Sequence, residues 1–458
     1  MSVEKVFKAY DIRGIYPTEI DEELGWKVGY GAGQFLRSLL SGYDRGQSAA
    51  NRIVIGRDMR PSSESLAKHL MEGVLTSGLS CVDIGLVDTP MVYFAVNYLG
   101  ACGGIQVTAS HNPVQYNGFK ICGQKARPVG ENTGLKEIKH LAATVRRTQS
   151  PSSASVQSID LWEAYKKHVL SFLKVVRPLK VAVDASNGMA GKMLPSVFGD
   201  CGIEFVPLNF EIGKGFKHPP NPLIEAYLKE VRQAVVENKC DFGICFDGDA
   251  DRCMFIDEHG EPIRADFIEA LLAKHFLGLH PGSTVIYDLR SSRVVPEEIR
   301  AARGLPRRER VGHAFIKKTM ADTHAIFGGE LSGHFYFREN YNADSGAIVF
   351  AVAASVISSR KTPLSELIAP LKRYVQSGEM NFQVHDKAGK MQELQDKYKD
   401  AQIDQLDGVT IEYKDWWFNV RPSNTEPLLR LNLEANDKQL LQTKLEEVKS
   451  ILGEPIEE

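Results

Sequence analysis

The sequence predicts an α/β protein with three similar α/β domains, built on mixed sheets, and a smaller C-terminal α+β domain. In three segments an apolar strand ends at a polar turn and a helix-compatible stretch follows: residues 52–58, 180–186 and 284–290. Second apolar strands come later, for example at residues 80–84 and 203–206. This strand–helix–strand order is typical of sheets whose faces are covered by helices and whose functional loops lie at strand ends.

Changes in composition predict the divisions between the domains. A serine-rich connector at residues 147–155 separates the first two units, and a second junction is expected near residues 258–261. After residue 362 the pattern changes to a helix, strands around residues 409–413 and 428–433, and a last helix, which is typical of an α+β domain. The predicted domains are residues 1–150, 156–257, 258–362 and 363–458.

The amino-acid composition of the chain disfavours several classes of protein. The chain has 55 basic and 58 acidic residues, a net charge of −3, which gives no reason to expect a nucleic-acid partner. No apolar run approaches the roughly 20 residues that span a bilayer, and the N-terminal segment lacks the apolar core of a signal peptide. Seven cysteines without Cys-x-x-Cys spacing favour reduced thiols over disulfides or zinc. We therefore expect a cytoplasmic protein without a membrane partner.

Residues 107–113, Val-Thr-Ala-Ser-His-Asn-Pro, place the hydroxyl of Ser110 beside the imidazole of His111 at the end of a predicted strand. Pro113 favours a turn, because the residue before a proline is kept out of the α region. Taken alone, such a turn is most often structural. Ser110 becomes a candidate nucleophile because a second segment, far along the chain, carries matching chemistry.

That second segment has three carboxylates at alternate positions after an apolar strand: Asp247, Asp249 and Asp251. In an extended chain these side chains share one face, and the small residues between them leave room to converge on a cation. Oxygen-only ligation is typical of Mg²⁺. A calcium loop is disfavoured because Arg252 stands where an EF-hand needs glycine, and a solvated acidic turn is the other alternative. With Ser110, the loop predicts phosphoryl transfer.

A loop at residues 419–427 carries donors suited to a phosphate group. Its candidate ligands are Arg421, Ser423, Asn424 and Thr425. An arginine binds phosphate oxygens in a bidentate way, and hydroxyl, amide and backbone N–H groups complete an anion site. Some of these residues are also good helix caps, and the two interpretations are compatible because a helix N-terminus binds anions.

A glycine-rich loop at residues 328–334 carries Glu330, Ser332 and His334 at alternating positions. An acidic acceptor beside a hydroxyl is a common way to bind two neighbouring sugar hydroxyls. An ordinary turn is the alternative interpretation.

In this order the four loops resemble the α-D-phosphohexomutase family, and most closely its phosphomannomutase/phosphoglucomutase branch. The resemblance covers nearly the whole chain. It begins at residues 8–14, Lys-Ala-Tyr-Asp-Ile-Arg-Gly, continues through residues 56–62, and ends in the loop containing Arg421. It implies that one loop from each of four domains faces a central cleft.

The resemblance also implies a role for each candidate residue. Ser110 would be the phosphoserine and would share Mg²⁺ with Asp247, Asp249 and Asp251. The implied catalytic residues are Ser110, His111, Lys120, Arg13, Arg252 and His334, and the implied substrate-binding residues are Tyr10, Arg290, His313, Glu330, Ser332, Arg421, Ser423, Asn424 and Thr425. Lys120 or His334 would be the general acid or base; as a base, Lys120 would need a pKa lowered by cationic neighbours.

The implied reaction interconverts hexose 1-phosphate and hexose 6-phosphate, of mannose and/or glucose, with hexose 1,6-bisphosphate as the reorienting intermediate and activator. The implied partner is thus a small sugar phosphate. Arg290 departs from the pattern, because a lysine is expected there and the two cations differ in donor geometry. A mutase for glucosamine or N-acetylglucosamine phosphate is the alternative. A serine hydrolase is disfavoured by the missing Gly-x-Ser-x-Gly motif. The sequence leaves monomer and dimer open.

Overall fold

Four β-sheets follow one another along the chain in the computed structural model. It describes residues 3–40, 49–147, 153–423 and 428–456. We name the units built on these sheets domains I to IV. The first three sheets are mixed, and the fourth is antiparallel throughout. No helix within these described ranges is long and apolar enough to cross a membrane.

Domain I contains a six-stranded sheet. Its elements, with the edge strand β6, are α1 (Val3–Val6), β1 (Ile12–Ile15), α2 (Glu22–Ser38), β2 (Arg52–Arg57), α3 (Ser63–Thr76), β3 (Ser80–Leu86), α4 (Thr89–Tyr98), β4 (Gly103–Val107), β5 (Tyr116–Gly123), α5 (Leu135–Thr144) and β6 (Val156–Ser158). The strand order is β1-β5-β4-β2-β3-β6. Helices α2 and α3 pack closely because Gly29 has no side chain: a Cβ there would lie 2.0 Å from the carbonyl oxygen of Leu70.

Domain II contains a five-stranded sheet in the order β11-β10-β9-β7-β8. Its elements are α6 (Trp162–Leu170), β7 (Leu179–Asp184), α7 (Ala190–Phe198), β8 (Ile203–Leu208), α8 (Lys229–Glu237), β9 (Phe242–Phe246), β10 (Cys253–Ile256) and β11 (Pro262–Ile263). Strands β7, β8 and β9 are parallel, and β10 returns antiparallel to β9.

Domain III contains a five-stranded sheet in the order β13-β12-β14-β15-β16. Its elements are α9 (Ala265–Leu279), β12 (Thr284–Asp288), α10 (Val294–Ala301), β13 (Leu305–Glu309), α11 (His313–Thr323), β14 (Phe327–Gly329), β15 (Phe335–Phe337), β16 (Ala343–Asp344), α12 (Gly346–Ser358) and α13 (Leu364–Ile368). Helix α12 is buried along its whole length, as expected for a helix that is apolar on nearly every side.

Domain IV has an antiparallel sheet in the order β17-β21-β20-β19-β18. Its elements are β17 (Val375–Gln383), α14 (Lys387–Lys397), β18 (Gln402–Asp404), β19 (Val409–Glu412), β20 (Trp416–Pro422), β21 (Leu428–Ala435) and α15 (Lys438–Leu452). Its buried apolar side chains, such as Phe382 and Phe418, form a cluster of their own. A separate, continuous cluster runs through domains I to III, from Val54 to Phe327 and beyond.

The first three domains share one local arrangement that positions the candidate site. In each, two parallel strands lie side by side, and the second of them is followed by an antiparallel return strand: β2, β4 and β5; β7, β9 and β10; β12, β14 and β15. The predicted serine, carboxylate and sugar loops are the three connections before the return strands. The predicted strand–helix–strand repetition is thus present in the structure.

Two edge strands differ from the predicted division of the chain. Strand β6 lies within the range expected for the second domain but pairs with β3 of the first sheet. Strand β11 lies within the range expected for the third domain but pairs with β10 of the second sheet. Edge pairing of this kind depends on backbone groups left open by the neighbouring strand, which composition does not reveal.

Candidate active site

Ser110 follows β4 in a loop that holds its backbone in an uncommon conformation. Its φ of 50° lies in the left-handed region, which is uncommon for a non-glycine residue. The Ser110 hydroxyl donates to Oδ2 of Asp247 at 3.0 Å and accepts from Nη2 of Arg252 at 3.1 Å. Nδ1 of His111 lies 3.3 Å from the same oxygen. The hydroxyl is therefore held between an acceptor and a guanidinium.

The buried ion pair of Arg60 and Asp58 holds the backbone of this loop. The Arg60 guanidinium donates to the carbonyl oxygens of Ser110 and Asn112 at 2.8 and 2.7 Å. Asp58 accepts from Nε of Arg60 at 3.1 Å, and both side chains of this pair are fully buried. Because buried charges are stable only when paired and hydrogen-bonded, the pair fixes the loop backbone.

The carboxylate loop after β9 brings Asp247, Asp249 and Asp251 together. One oxygen of each lies within 4.8 Å of the others, and all three residues are buried. Oδ1 of Asp249 accepts no hydrogen bond from any described residue. Buried oxygens in need of a partner fit a hard divalent cation. Asp251 also belongs to a second compact group, with His334 and Asp344.

Two cations balance the three carboxylates only partly. The Lys120 ammonium, on β5, donates to Asp249 at 2.8 Å and also to Asp251. Nε of Arg252 lies 3.1 Å from Asp247. Burial and the charges of the other two carboxylates raise the pKa of Asp247 to about 7. Burial disfavours the Lys120 ammonium, but the aspartates outweigh it and raise its pKa, opposite to the direction that a general base needs.

The serine and carboxylate loops touch through their backbones. A Cβ on Gly248 would lie 2.3 Å from the carbonyl oxygen of Ser110, so only glycine allows this approach. On the other side of the loop, the Thr89 hydroxyl donates to Oδ2 of Asp249 at 2.5 Å. Domains I and II are thus in contact at the point where Ser110 and the three carboxylates meet.

The histidines of the site differ in the direction of their pKa shifts. Burial and nearby cations, Arg252 first, hold the pKa of His111 well below its usual value, so this ring is neutral. Burial likewise depresses the pKa of His313. For His334 burial acts in the same direction, but the charge and hydrogen bond of Asp251 raise the pKa above its usual value.

A cleft of two adjoining cavities, about 760 and 970 Å³, connects Ser110 with the loop containing Arg421. Both cavities are lined by Tyr10, His111 and Arg252. The smaller one is also lined by Arg13, Ser110, Lys120, Asp251, His313 and His334, and the larger one by Arg290, Ser332, Glu379, Arg421, Ser423 and Arg430. Arg13 pairs with Asp11 and with the amide of Asn112, and the Tyr10 ring packs edge-on against His313.

The candidate residues in the loop after β14 differ in their exposure to the cleft. Ser332 lines the larger cavity, and its hydroxyl lies 3.0 Å from Nδ1 of His334. Glu330 is only 2% exposed. Its carboxylate accepts from the backbone N–H of Gly312 at 2.9 Å and from the Tyr336 hydroxyl. Ser332 therefore lies on the cleft surface, whereas Glu330 is buried.

A second buried carboxyl group lies under the same loop. Glu269, on α9, is 0% exposed and makes no ion pair within the described parts of the chain. It packs against Gly329, where a Cβ would lie 2.6 Å from the Glu269 carboxyl carbon. Burial and the charges of Asp288 and Asp266 raise the pKa of Glu269 well above its usual value, so it is held protonated.

At the far end of the cleft, Arg421 and Ser423 lie at the end of β20. The Arg421 guanidinium donates to Glu379 at 2.8 Å, and Arg290 reaches the same carboxylate from domain III at 3.6 Å. Arg290 also makes a 2.7 Å ion pair with Asp288. The candidates Asn424 and Thr425 lie outside the described residues.

The structure gathers the other candidates in or directly beside one cleft. Sequence reasoning did not assign a role to Asp58, Arg60, Thr89 or Glu379. The first two lie in the segment 56–62, whose alternating charges after a strand are a usable signal. Thr89 and Glu379 reach the site only through tertiary contacts between domains, and nothing in the local sequence marks them.

Known proteins match this chain along nearly its whole length. Domain models of phosphoglucomutase/phosphomannomutase match along the chain: the α/β/α domains I, II and III at residues 4–149, 163–260 and 264–374, and the C-terminal domain at residues 379–450. A Xanthomonas campestris protein named phosphohexose mutases is 38% identical over 97% of this chain and 98% of its own length. A Salmonella montevideo phosphomannomutase is 36% identical over 98% of both chains.

Solved structures with this fold include a member of the same family. A phosphoglucomutase/phosphomannomutase family protein from Burkholderia thailandensis superimposes with a TM-score of 0.88 at 29% identity, covering 98% of each chain. An Aspergillus fumigatus N-acetylphosphoglucosamine mutase has a TM-score of 0.62 at 13% identity over 98% of this chain and 96% of its own, which shows the shared fold alone.

Fold and matches together define an isomerase of the phosphotransferase type. The chain belongs to the phosphoglucomutase/phosphomannomutase family. The predictions of the family, of the four-domain α/β fold class and of a phosphohexomutase are thereby confirmed. The alternative of an N-acetylglucosamine phosphate mutase has only distant support.

Proposed function

We propose that this enzyme interconverts hexose 1-phosphate and hexose 6-phosphate, of mannose and/or glucose, through a phosphorylated Ser110 and a hexose 1,6-bisphosphate that reorients in the cleft. One observation carries the proposal. A positioned serine hydroxyl, a buried carboxylate loop and the Arg421 loop face one continuous cleft. Phosphoryl transfer depends mainly on positioning and on charge neutralisation, and this arrangement supplies both.

Each transfer exchanges one P–O bond for another. A free sugar hydroxyl attacks the phosphorus on Ser110; a bond from sugar oxygen to phosphorus forms while the bond to Oγ breaks, and the sugar hydroxyl loses its proton. Arg252 donates to Oγ and stabilises the charge that develops there. Neutral His111 orients the same oxygen. Lys120 and His334, both beside Asp251, are the candidates for moving the proton.

The carboxylate loop fits a magnesium ion, since three buried carboxylates converge there and Oδ1 of Asp249 accepts no hydrogen bond from a described residue. Asp247, Asp249, Asp251 and an oxygen of the Ser110 phosphate would hold the ion, which when bound supplies neutralisation of the transferring group. Arg421 and Ser423, with Asn424 and Thr425, would hold the phosphate that is not reacting, so remote binding energy assists the chemistry. Tyr10, Arg13, Arg290, His313, Glu330 and Ser332 would bind or support the sugar phosphate.

We further propose that the protein acts in the cytoplasm on free sugar phosphates, as a monomer or dimer, without a nucleic-acid or membrane partner. The fourfold division of the chain is kept in this proposal, with β6 and β11 counted in the domains whose sheets they join.

The test has two parts. Incubation with glucose 1,6-bisphosphate should add the mass of one phosphoryl group to the intact protein, and peptide mapping should locate it on Ser110. A coupled assay with the 1-phosphates of mannose, glucose, glucosamine and N-acetylglucosamine, run with catalytic bisphosphate, should show turnover of the first two. Fast turnover of an amino sugar alone would refute the substrate assignment, and a protein that never carries phosphate would refute the phosphoserine route.

A further inference from the structure

A carboxylate occupies the centre of the cluster that would bind the non-reacting phosphate. Glu379 lies in β17, where the pairing with β21 shifts register between Gln376 and Glu379 and where Gly378 has a φ of 74°. A bulge of this kind redirects side chains and is common beside functional sites. Here it turns Glu379 toward the arginines of the cleft.

Three guanidinium groups meet this one carboxylate. Arg421 donates to Oε2 at 2.8 Å, Arg430 approaches Oε1 at 3.3 Å, and Arg290 of domain III approaches Oε2 at 3.6 Å. Arg421 and Arg430 are directly opposite each other on β20 and β21, where like charges repel. Asn432 adds a neutral donor at 3.2 Å. Burial opposes ionisation of Glu379, but the arginines lower its pKa to about 2, so it is always charged at neutral pH.

We propose that Glu379 is a built-in counter-ion of the phosphate subsite, which sets how tightly the enzyme holds the non-reacting phosphate of its substrate. The inference rests on the proposed mutase function. Among the described residues, Glu379 is the carboxylate that all three arginines share, and Arg290 has a second partner in Asp288. Removing the charge of Glu379 would leave the arginine donors of domain IV more available to a phosphate.

The counter-ion acts as a competitor for the same donors. A bound phosphate has to share or displace the bond from Arg421 to Glu379, and it meets a negative charge at short range. Both effects weaken phosphate binding. Weaker phosphate binding suits the proposed intermediate, because the bisphosphate must leave the subsite with one phosphate, turn, and bind again with the other. A subsite that binds either phosphate too tightly would slow this reorientation. Tight binding of a ground state common to every step does not raise the rate.

The decisive variant is Glu379→Gln, which keeps the shape and removes the charge. It should bind inorganic phosphate and glucose 6-phosphate about tenfold more tightly by isothermal titration calorimetry. KM should fall, kcat should fall with it, and less bisphosphate should escape into the medium during turnover. Glu446→Gln is the matched control: it removes one negative charge from domain IV at a site 72% exposed on α15, and should leave all of these quantities unchanged.

A purely structural role for Glu379, as an interdomain link to Arg290, predicts a different result. Glu379→Gln would then lower the melting temperature and loosen phosphate binding, and that outcome would overturn the proposal. Unchanged phosphate affinity would overturn it as well. Glu379→Asp keeps the charge and should stay close to wild type in phosphate affinity. Since inorganic phosphate binding needs no turnover, a failure of the mutase assignment would be visible separately, as a wild-type enzyme that binds phosphate but isomerises no hexose phosphate.

Discussion

Replacing Lys120 with Met removes the ammonium that lies between two buried carboxylates. Methionine keeps the unbranched shape of the side chain, so the change is mainly one of charge. In wild type, Lys120 and Arg252 make ion pairs with Asp247, Asp249 and Asp251, and His334 lies beside Asp251. In the variant one of these cationic groups is missing.

The magnitude follows from the burial of the group. Lys120 is 15% exposed in its side chain, and its partners Asp249 and Asp251 are 0% and 2% exposed. Removing one partner of a buried ion pair costs about 3–5 kcal/mol, because the remaining charge stays in a medium of low polarity. A divalent cation on the carboxylates would return the missing positive charge. The loss of stability should therefore be large in chelator and small in magnesium.

The assay is thermal denaturation of both proteins in EDTA and in millimolar MgCl₂, followed by an isothermal titration with Mg²⁺. The variant should melt well below wild type in EDTA, should regain most of the difference in magnesium, and should bind Mg²⁺ more tightly than wild type does. Lys136→Met is the control, since Lys136 is 65% exposed and pairs only at the surface with Glu131. Equal destabilisation of the Lys120 variant in EDTA and in magnesium would refute the reasoning.

Three further predictions concern single residues. Ser110→Ala should lose about two orders of magnitude or more in initial rate while its melting temperature stays close to wild type; activity near that of wild type would remove Ser110 as nucleophile. Arg421→Ala should raise KM and release free 1,6-bisphosphate into the medium, measurable by ion chromatography; unchanged KM and no release would place the phosphate contact elsewhere. Glu269→Gln should remove a pH dependence of stability. Because Glu269 is held protonated in the fold but ionises in the unfolded chain, wild type should lose up to about 1.4 kcal/mol per pH unit above the usual glutamate pKa, and the variant should not. Parallel denaturation curves of the two proteins from pH 5 to pH 8 would contradict this account.

Features contained in a short stretch of sequence could be predicted well. The strand–turn–helix order recurs as β2, β7 and β12, because apolar runs of strand length ending at polar turns are a local signal. The serine loop and the carboxylate loop are local signals of the same kind, and the structure brings the Ser110 hydroxyl within 3.0 Å of Asp247.

Features that depend on distant contacts could not be predicted. The burial of Glu330 depends partly on the backbone N–H of Gly312, which approaches it from the turn before α11. The direction of the Lys120 pKa shift depends on carboxylates more than a hundred residues away. Glu379 belongs to an ordinary-looking strand, and only the register shift beside it aims its charge at the arginines.

The contact between Gly248 and the carbonyl of Ser110 has a consequence for how the molecule is divided mechanically. That contact lies between domains I and II, and one apolar cluster runs on from them through domain III. Domain IV has its own core and meets domain III largely through charged and polar contacts, such as Arg308 with Asp404 and Arg293 with the backbone of Lys414. Added salt is therefore expected to weaken the contacts of domain IV with domain III, and to have less effect on the apolar contacts among domains I to III. If domain IV holds the non-reacting phosphate as proposed, exchange of charged residues at its border with domain III would alter that binding and leave the residues around Ser110 unchanged.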